Sequence, residues 1–462
     1  MKGIIRNLNF GIISIIIFKT AQAAAPQMEI TGPIVADFPG SGGINVIYSA
    51  SAIELIDKGY IEEEFFIEGL ANTYSTGDMR SSEVLSSGHH YRTRIVVRRP
   101  KDVVAFNGTA VIEWMNVTGG TDKDIDWWFS GDHFISEGYA YVFVSAQQDG
   151  IKSLKNYNSD RYGSLNVSHD ATSDKDALSY DIFTAVGFGL SGQSGVSLQS
   201  KLLGPLKPKT LIATGHSQSA SRLAVYLNNI HFLNPIYDGF MVHGGGGRIR
   251  DDKPVRVFKV MSETDLPIFG VNRQPNTDRF RQWEVAGSSH VDLDFELEYA
   301  KVRLKRDGKS PELAEPRMPD CALPSFSRIP FRHVINSAYE HLVVWVQEGV
   351  APPEAEFLKT SQGIPEFEFA RDAFGNILGG IRLAMHEVPT AKNTGMNNGN
   401  SPFCYLYGSY EPFSKETLKN LYPTADSYVQ AVREIVEKNI DEGFILPTDG
   451  RKTIDEAKRV EF

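Results

Sequence analysis

The sequence predicts an α/β protein: a mainly parallel, doubly wound sheet with helices on both faces and a C-terminal extension. Three observations predict it. Short β-rich runs are apolar at nearly every residue, as strands buried on both faces have to be. Helix-spaced apolar residues fall between many of them, and strands alternating with helices build a parallel sheet. At residues 211–223, LIATGHSQSASRL, an apolar run breaks at Gly215 and passes at once into a helical pattern. The composition agrees: with 41% hydrophobic and 23% charged residues, a chain of 462 residues can bury a large core.

Residues 1–23 read as a signal peptide. Lys2 and Arg6 form a positive start, Leu8 to Phe18 an apolar stretch, and Ala21-Gln22-Ala23 a cleavage site. The apolar run is shorter than the roughly 20 residues a membrane span needs. The expected location is periplasmic or secreted, with no membrane span after cleavage. Loss of Lys2, Arg6 and Lys19 moves the formal charge from −10 to −13. An acidic chain of this kind is not expected to bind nucleic acid.

Strands are expected at 93–98 (TRIVVR), 109–114 (TAVIEW), 140–145 (AYVFVS), 210–214 (TLIAT), 237–243 (YDGFMVH), 256–261 (RVFKVM) and 281–286 (RQWEVA). Helices are expected at 176–189, after Ser217, and at 333–348, the last ended by Gly349 and two prolines. This places the core at 24–349. Residues 350–462 are turn-rich and then helical from Lys415, and no linker-like tract separates them, so they are expected to pack on the core. Cys321 and Cys404, the only cysteines, are expected to form a disulfide in an oxidising compartment, two buried thiols being the other reading. Closing so long a loop would stabilise by ~4–5 kcal/mol. Two distant cysteines and no His-x-x-x-His pair do not make a metal site, and no metal or cofactor is expected.

A bare G-x-S occurs seven times and means little by itself. Gly215-His216-Ser217 differs from the other six in context, with a buried-type strand before it and an amphipathic helix after it. That is the strand–turn–helix that carries a serine nucleophile in G-x-S-x-G, except that Ser219 stands where the second glycine would be. The strained turn needs small neighbours, and Ser219 adds only a hydroxymethyl group. A serine hydroxyl attacks once a base takes its proton and an acid orients that base. RVFKVM runs into Ser262-Glu263-Thr264-Asp265, and RQWEVA into Gly287-Ser288-Ser289-His290, both at carboxyl ends of strands, where open α/β sheets build their sites. Of 11 histidines, His290 alone stands in the expected place after the last strand and is the expected base. His216 is expected to point elsewhere, and His243, before Gly244 to Gly247, to mark a turn. Asp265 is the expected acid, with Glu263 as the alternative. The expected oxyanion donors are the Gln218 N–H, at a helix N-terminus, and a backbone N–H of Met115 or Asn116. Trp114, Trp127 and Trp128 are candidates for an apolar acyl pocket, or equally core aromatics.

The stretches YRTRIVVRRP (91–100), VIEWMNVTGG (111–120), GHSQSASRL (215–223), SETD (262–265), VAGSSHVD (285–292), GNILGGIRL (375–383) and LYPTADSYV (421–429) together resemble a bacterial family of exported α/β-hydrolase-domain proteins, known mainly as predicted serine esterases. The family form of the elbow, GHSQS in this chain, also carries G-x-S-x-S. The resemblance covers most of the chain beyond residue 23. It implies the α/β-hydrolase fold and a triad of Ser217, Asp265 and His290, and it implies little about the substrate. The expected function is hydrolysis of a small-molecule carboxylic ester through an acyl-enzyme. Acyl transfer or peptide cleavage by the same triad is the alternative among enzymes, and a non-catalytic binding protein on this scaffold is the alternative of another class. The stretch between 243 and 256 is too short for a lid, so segment 295–330 or part of 350–462 is expected to cover the site.

Overall fold

The computed structural model describes residues 28–35, 46–76, 82–168, 174–317, 319–360, 368–401 and 403–460; the expected signal peptide, residues 1–23, lies outside them. Nine strands build one sheet: β1 (Met28–Thr31), β2 (Tyr60–Tyr74), β3 (Val84–Pro100), β4 (Thr109–Trp114), β5 (Ala140–Val144), β6 (Thr210–His216), β7 (Gly239–His243), β8 (Arg256–Ser262) and β9 (Phe280–Val285). Their order is β1-β2-β3-β5-β4-β6-β7-β8-β9. From β5 to β9 every neighbouring pair is parallel, whereas β1, β2 and β3 join antiparallel and β3 meets β5 antiparallel. The seven apolar runs are all strands of this sheet.

Alternation along the strands divides two cores. On β4, Ala110, Ile112 and Trp114 face one core with Ile182, Phe183 and Tyr226; Val111 faces the other, with Val334, Ile335 and Tyr339 of the helix Phe331–Glu348. Helices therefore cover both faces, as a buried parallel sheet requires. The helix Ser179–Ser191 lies on the first face, and Phe331–Glu348 on the second, ended by Gly349 in the left-handed region.

β2 has no apolar run to announce it. Its Glu62, Glu63 and Glu64 pair with arginines: Arg98 Nε lies 2.7 Å from Glu62, Arg99 Nη2 2.9 Å from Glu63, and Arg94 Nη1 3.0 Å from Glu64. Arg94 and Arg98 also meet Asp122 and Asp124, and Arg161 meets Glu64. Arg94 and Arg98 are wholly buried, so each charge needs these partners.

The region beyond residue 349 is built into the same body. Ile381 bridges parallel to Val285 at the edge of β9, with the Ala286 N–H donating to Ile381 O (2.9 Å) and the Ile381 N–H to Glu284 O (2.8 Å). An otherwise open sheet edge is thereby covered. Tyr428, Val432 and Val436 of the helix Ala425–Asp441, and Ala457 of the helix Pro447–Ala457, share the core of Phe331–Glu348. Cys321 and Cys404 form a disulfide, Cα atoms 5.6 Å apart, joining this region to the segment before residue 331. Among the described residues, no helix is long and apolar enough to cross a membrane.

Candidate active site

β6 ends at His216, and Ser217 takes φ 60° and ψ −116° before the helix Gln218–Val225 begins. A non-glycine residue at positive φ is strained and persists only where its surroundings hold it. Here the Ser217 N–H donates to His243 O (3.0 Å). Ser219 Oγ accepts the His216 N–H (3.1 Å) and donates to His216 O (2.9 Å). The serine at the second glycine position thus ties the turn together. Gly215 keeps its own requirement, because a Cβ there would lie 3.1 Å from the Ser219 backbone.

β8 ends at Ser262, which caps a single turn over Glu263–Asp265. Asp265 Oδ1 lies 2.6 Å from His290 Nδ1, while Oδ2 accepts the Ser262 N–H and hydroxyl, each at 2.7 Å. Thr264 Oγ1 accepts the His290 N–H (3.2 Å). Glu263 turns the other way: its Oε1 meets Arg371 Nη2 at 2.7 Å, and its Oε2 accepts the Gly287 N–H (3.1 Å). Burial raises the Glu263 pKa, and the Arg371 guanidinium opposes that rise. Of the two candidate acids, only Asp265 is brought to the imidazole; Glu263 fastens the C-terminal region behind it. Arg371→Ala would leave a buried carboxylate without its partner, and the expected loss is about 3 kcal/mol in urea unfolding with turnover nearly unchanged. A drop in turnover at unchanged stability would contradict this division of roles.

Two histidines depart from expectation. His243 is the last residue of β7, wholly buried, with Nε2 2.8 Å from Asp126 Oδ1, and is not part of a turn. His216 does not point away from the site: its ring lies 4.4 Å from that of His290 and 4.6 Å from that of His243, centroid to centroid. Gly244, at φ +61°, lets the chain leave β7 beside these rings, since a Cβ there would meet His216 Nε2 at 2.5 Å. Gly245 and Gly246 make similar close approaches, to Ser217 O and the Val242 side chain, whereas a Cβ on Gly247 would meet nothing.

Ser217, His216 and His290 line one cavity of about 470 Å³. Its wall comes from three places: Asn116 to Ile125 beyond β4; Phe295 and Tyr299 of the helix Leu293–Arg306, with Pro319 and Phe326; and Phe403, Leu406 and Tyr407. Lys123 Nζ donates to the carbonyls of Thr118 and Thr121, pinning the first of these loops, and burial draws its pKa down to about 8.

Five residues, Asn116, Met115, Trp114, Trp127 and Trp128, do not stand as expected. The Asn116 N–H donates to Lys123 O (3.0 Å) and its Nδ2 to His216 O (2.9 Å), so Asn116 braces the elbow and has no backbone donor to offer; the Met115 N–H goes to Val144 O (3.3 Å). The Val117 N–H, one residue further on, has only a long contact with Gln218 Oε1 (3.4 Å). Trp114 lies in the core against Phe183, Tyr180 and Tyr226, because the pleat of β4 turns it under the sheet. Trp127 packs on Tyr141 and under Arg98, with its indole N–H donating to Ser51 Oγ. Trp128 stacks on Tyr299 behind the wall. The aromatic residues at the cavity are instead Phe295, Tyr299, Phe326, Phe403 and Tyr407, of which Phe295 and Tyr299 stand four apart on one helix.

Asp292, two residues past His290, caps the helix Leu293–Arg306 by accepting the Phe295 N–H (2.8 Å). Burial, with Asp294 beside it, pushes its pKa up to about 7. The folded carboxyl therefore holds a proton that the unfolded one releases near pH ~4. Its contribution to stability is full below about pH 4 and is lost as pH rises through 7. Asp292→Asn keeps the cap without the charge. It is expected to match the wild type in urea unfolding at pH 4 and to exceed it at pH 8; parallel stability curves would remove the assignment.

Comparison with known proteins bears on the fold. No curated protein matches the chain in sequence. Among solved structures, esterase Est22 is 11% identical over 57% of this chain and 82% of its own, with a TM-score of 0.31. XC6422 from Xanthomonas campestris, described as an α/β serine hydrolase without lid, is 14% identical over 54% of this chain and 97% of its own, with a TM-score of 0.29. The family described as an α/β-hydrolase domain matches residues 30–455, from β1 into the helix Pro447–Ala457. Spanning the parallel sheet, the elbow and the C-terminal region alike, that match means that the chain belongs to the α/β-hydrolase-domain family.

Proposed function

We propose that the protein is a serine hydrolase that cleaves carboxylic esters through an acyl-enzyme. The observation that carries this reading is the Asp265–His290 contact of 2.6 Å in the same cavity as a serine held at φ 60°. Asp265 fixes His290 with its proton on Nδ1, so Nε2 is the nitrogen that takes a proton. As Nε2 removes the Ser217 proton, Oγ attacks the ester carbonyl and the carbonyl electrons move to oxygen. The N–H groups of Gln218 and Val117 receive that oxyanion; the first N–H of the helix Gln218–Val225 has no acceptor within the helix. The imidazolium then protonates the leaving alkoxide, and water repeats the sequence on the acyl-enzyme to release the acid. The wall of Phe295, Tyr299, Phe326, Phe403, Leu406 and Tyr407 favours an ester with an apolar or aromatic group. The disulfide and the signal-like first 23 residues support a periplasmic or secreted site of action.

Intact-mass measurement after treatment with a fluorophosphonate tests the reading. One adduct, mapped to the peptide containing Ser217, is expected, together with turnover of p-nitrophenyl esters. A folded chain that takes no adduct would sink it.

A further inference from the structure

Three imidazoles stand in a row at the carboxyl edge of the sheet. The outer two each hold a carboxylate, His243 with Asp126 at 2.8 Å and His290 with Asp265 at 2.6 Å. The middle one, His216, is 2% exposed, lines the cavity, and has no hydrogen-bond partner on either ring nitrogen among the described residues. The reaction proposed above gives it no task. A buried polar ring left unpaired is costly, and an apolar side chain would fill the same space without that cost. Its ring plane is tilted 34° from that of His290 at 4.4 Å, within the range of offset aromatic stacking.

We propose that His216 is a positioning residue, whose uncharged ring face fixes the orientation of His290 and favours the imidazolium that forms when His290 takes the Ser217 proton. The inference rests on the esterase reading for its catalytic consequence only. An aromatic face attracts a cation lying over it, provided that the ring beneath stays neutral. His216 meets that condition: burial, then the neighbouring His290 and His243, hold its pKa well below the usual histidine range. The groups around the row are fixed. Asp265 faces His290 from the turn after β8, with Lys259 of β8 behind it. Asp126 faces His243 from the helix Ile125–Ser136 and also accepts the Tyr339 hydroxyl (2.5 Å). Phe129 and Phe295 close the sides of His216 without charge.

The test is the titration of the His290 imidazole by NMR in the Ser217→Ala chain, alone and with His216→Ala or His216→Phe. His216→Ala is expected to lower the His290 pKa by about half a unit, and His216→Phe to restore it, because a phenyl face replaces the imidazole face. In the chain with Ser217 intact, His216→Ala is expected to lower kcat about tenfold with KM little changed. The acid limb of its pH profile should move to lower pH, and His216→Phe should recover both. An unchanged titration in folded His216→Ala, or a folded His216→Phe that restores neither quantity, would overturn the proposal. The titration needs no turnover, so a wild type that hydrolyses no ester fails the esterase reading alone.

Discussion

Ser217→Ala is expected to lower kcat for a p-nitrophenyl ester on the order of 10⁶-fold, leaving a residual rate supplied by binding and the oxyanion donors alone. The reason lies in the elbow. Ser217 sits just past the C-terminal end of β6; the His243 carbonyl holds its N–H, and Ser219 Oγ holds the backbone of His216 before it. Removing the hydroxyl therefore deletes the attacking atom without loosening the turn. A companion variant separates chemistry from strain. Ser217→Gly should be equally inactive, yet more resistant to urea by about 1 kcal/mol, because glycine adopts φ 60° at little cost. Activity within tenfold of the wild type in either variant would transfer the nucleophile's role to another residue.

Asp265→Asn is expected to cost about 10⁴-fold in kcat, for a reason specific to these hydrogen bonds. Ser262 directs two donors, its N–H and its hydroxyl, at Oδ2. In the variant the amide oxygen has to take those donors, which turns the amide NH₂ toward His290 Nδ1. Nδ1 becomes an acceptor, the ring proton moves to Nε2, and Nε2 can no longer accept the Ser217 proton. Glu263→Gln should leave kcat nearly unchanged and lower stability, since Glu263 contacts Arg371 and the Gly287 N–H instead of the imidazole. If the two variants exchanged behaviour, the acid would be Glu263. Steady-state kinetics with urea unfolding of both variants decides it.

Much of the parallel sheet was legible because its strands are buried on both faces and must be apolar almost throughout, so TAVIEW, TLIAT and RVFKVM announce themselves. β2 was not legible for the opposite reason. Three consecutive glutamates read as a solvated face until Arg94, Arg98 and Arg99, 30 or more residues away, are brought beside them by the antiparallel pairing with β3. Trp114 lies away from the cavity because the pleat of β4 decides which face its side chain meets, whereas Trp127 and Trp128 stand on the helix Ile125–Ser136 and pack on Tyr141 and Tyr299.

For this protein the sequence alone determined the class of fold, the strand–turn–helix around Ser217, and the polar clusters at 262–265 and 287–290, because periodicity and turn chemistry are local properties. Only the tertiary structure decided which carboxylate meets His290, which backbone N–H beyond β4 makes only a long contact, and that the His216 ring packs against those of both His243 and His290. Glu263 and Asp265 are two residues apart and chemically alike. What separates them is direction: the turn after β8 points Asp265 at the imidazole and Glu263 at Arg371, 108 residues away, a partner that only the folded chain supplies.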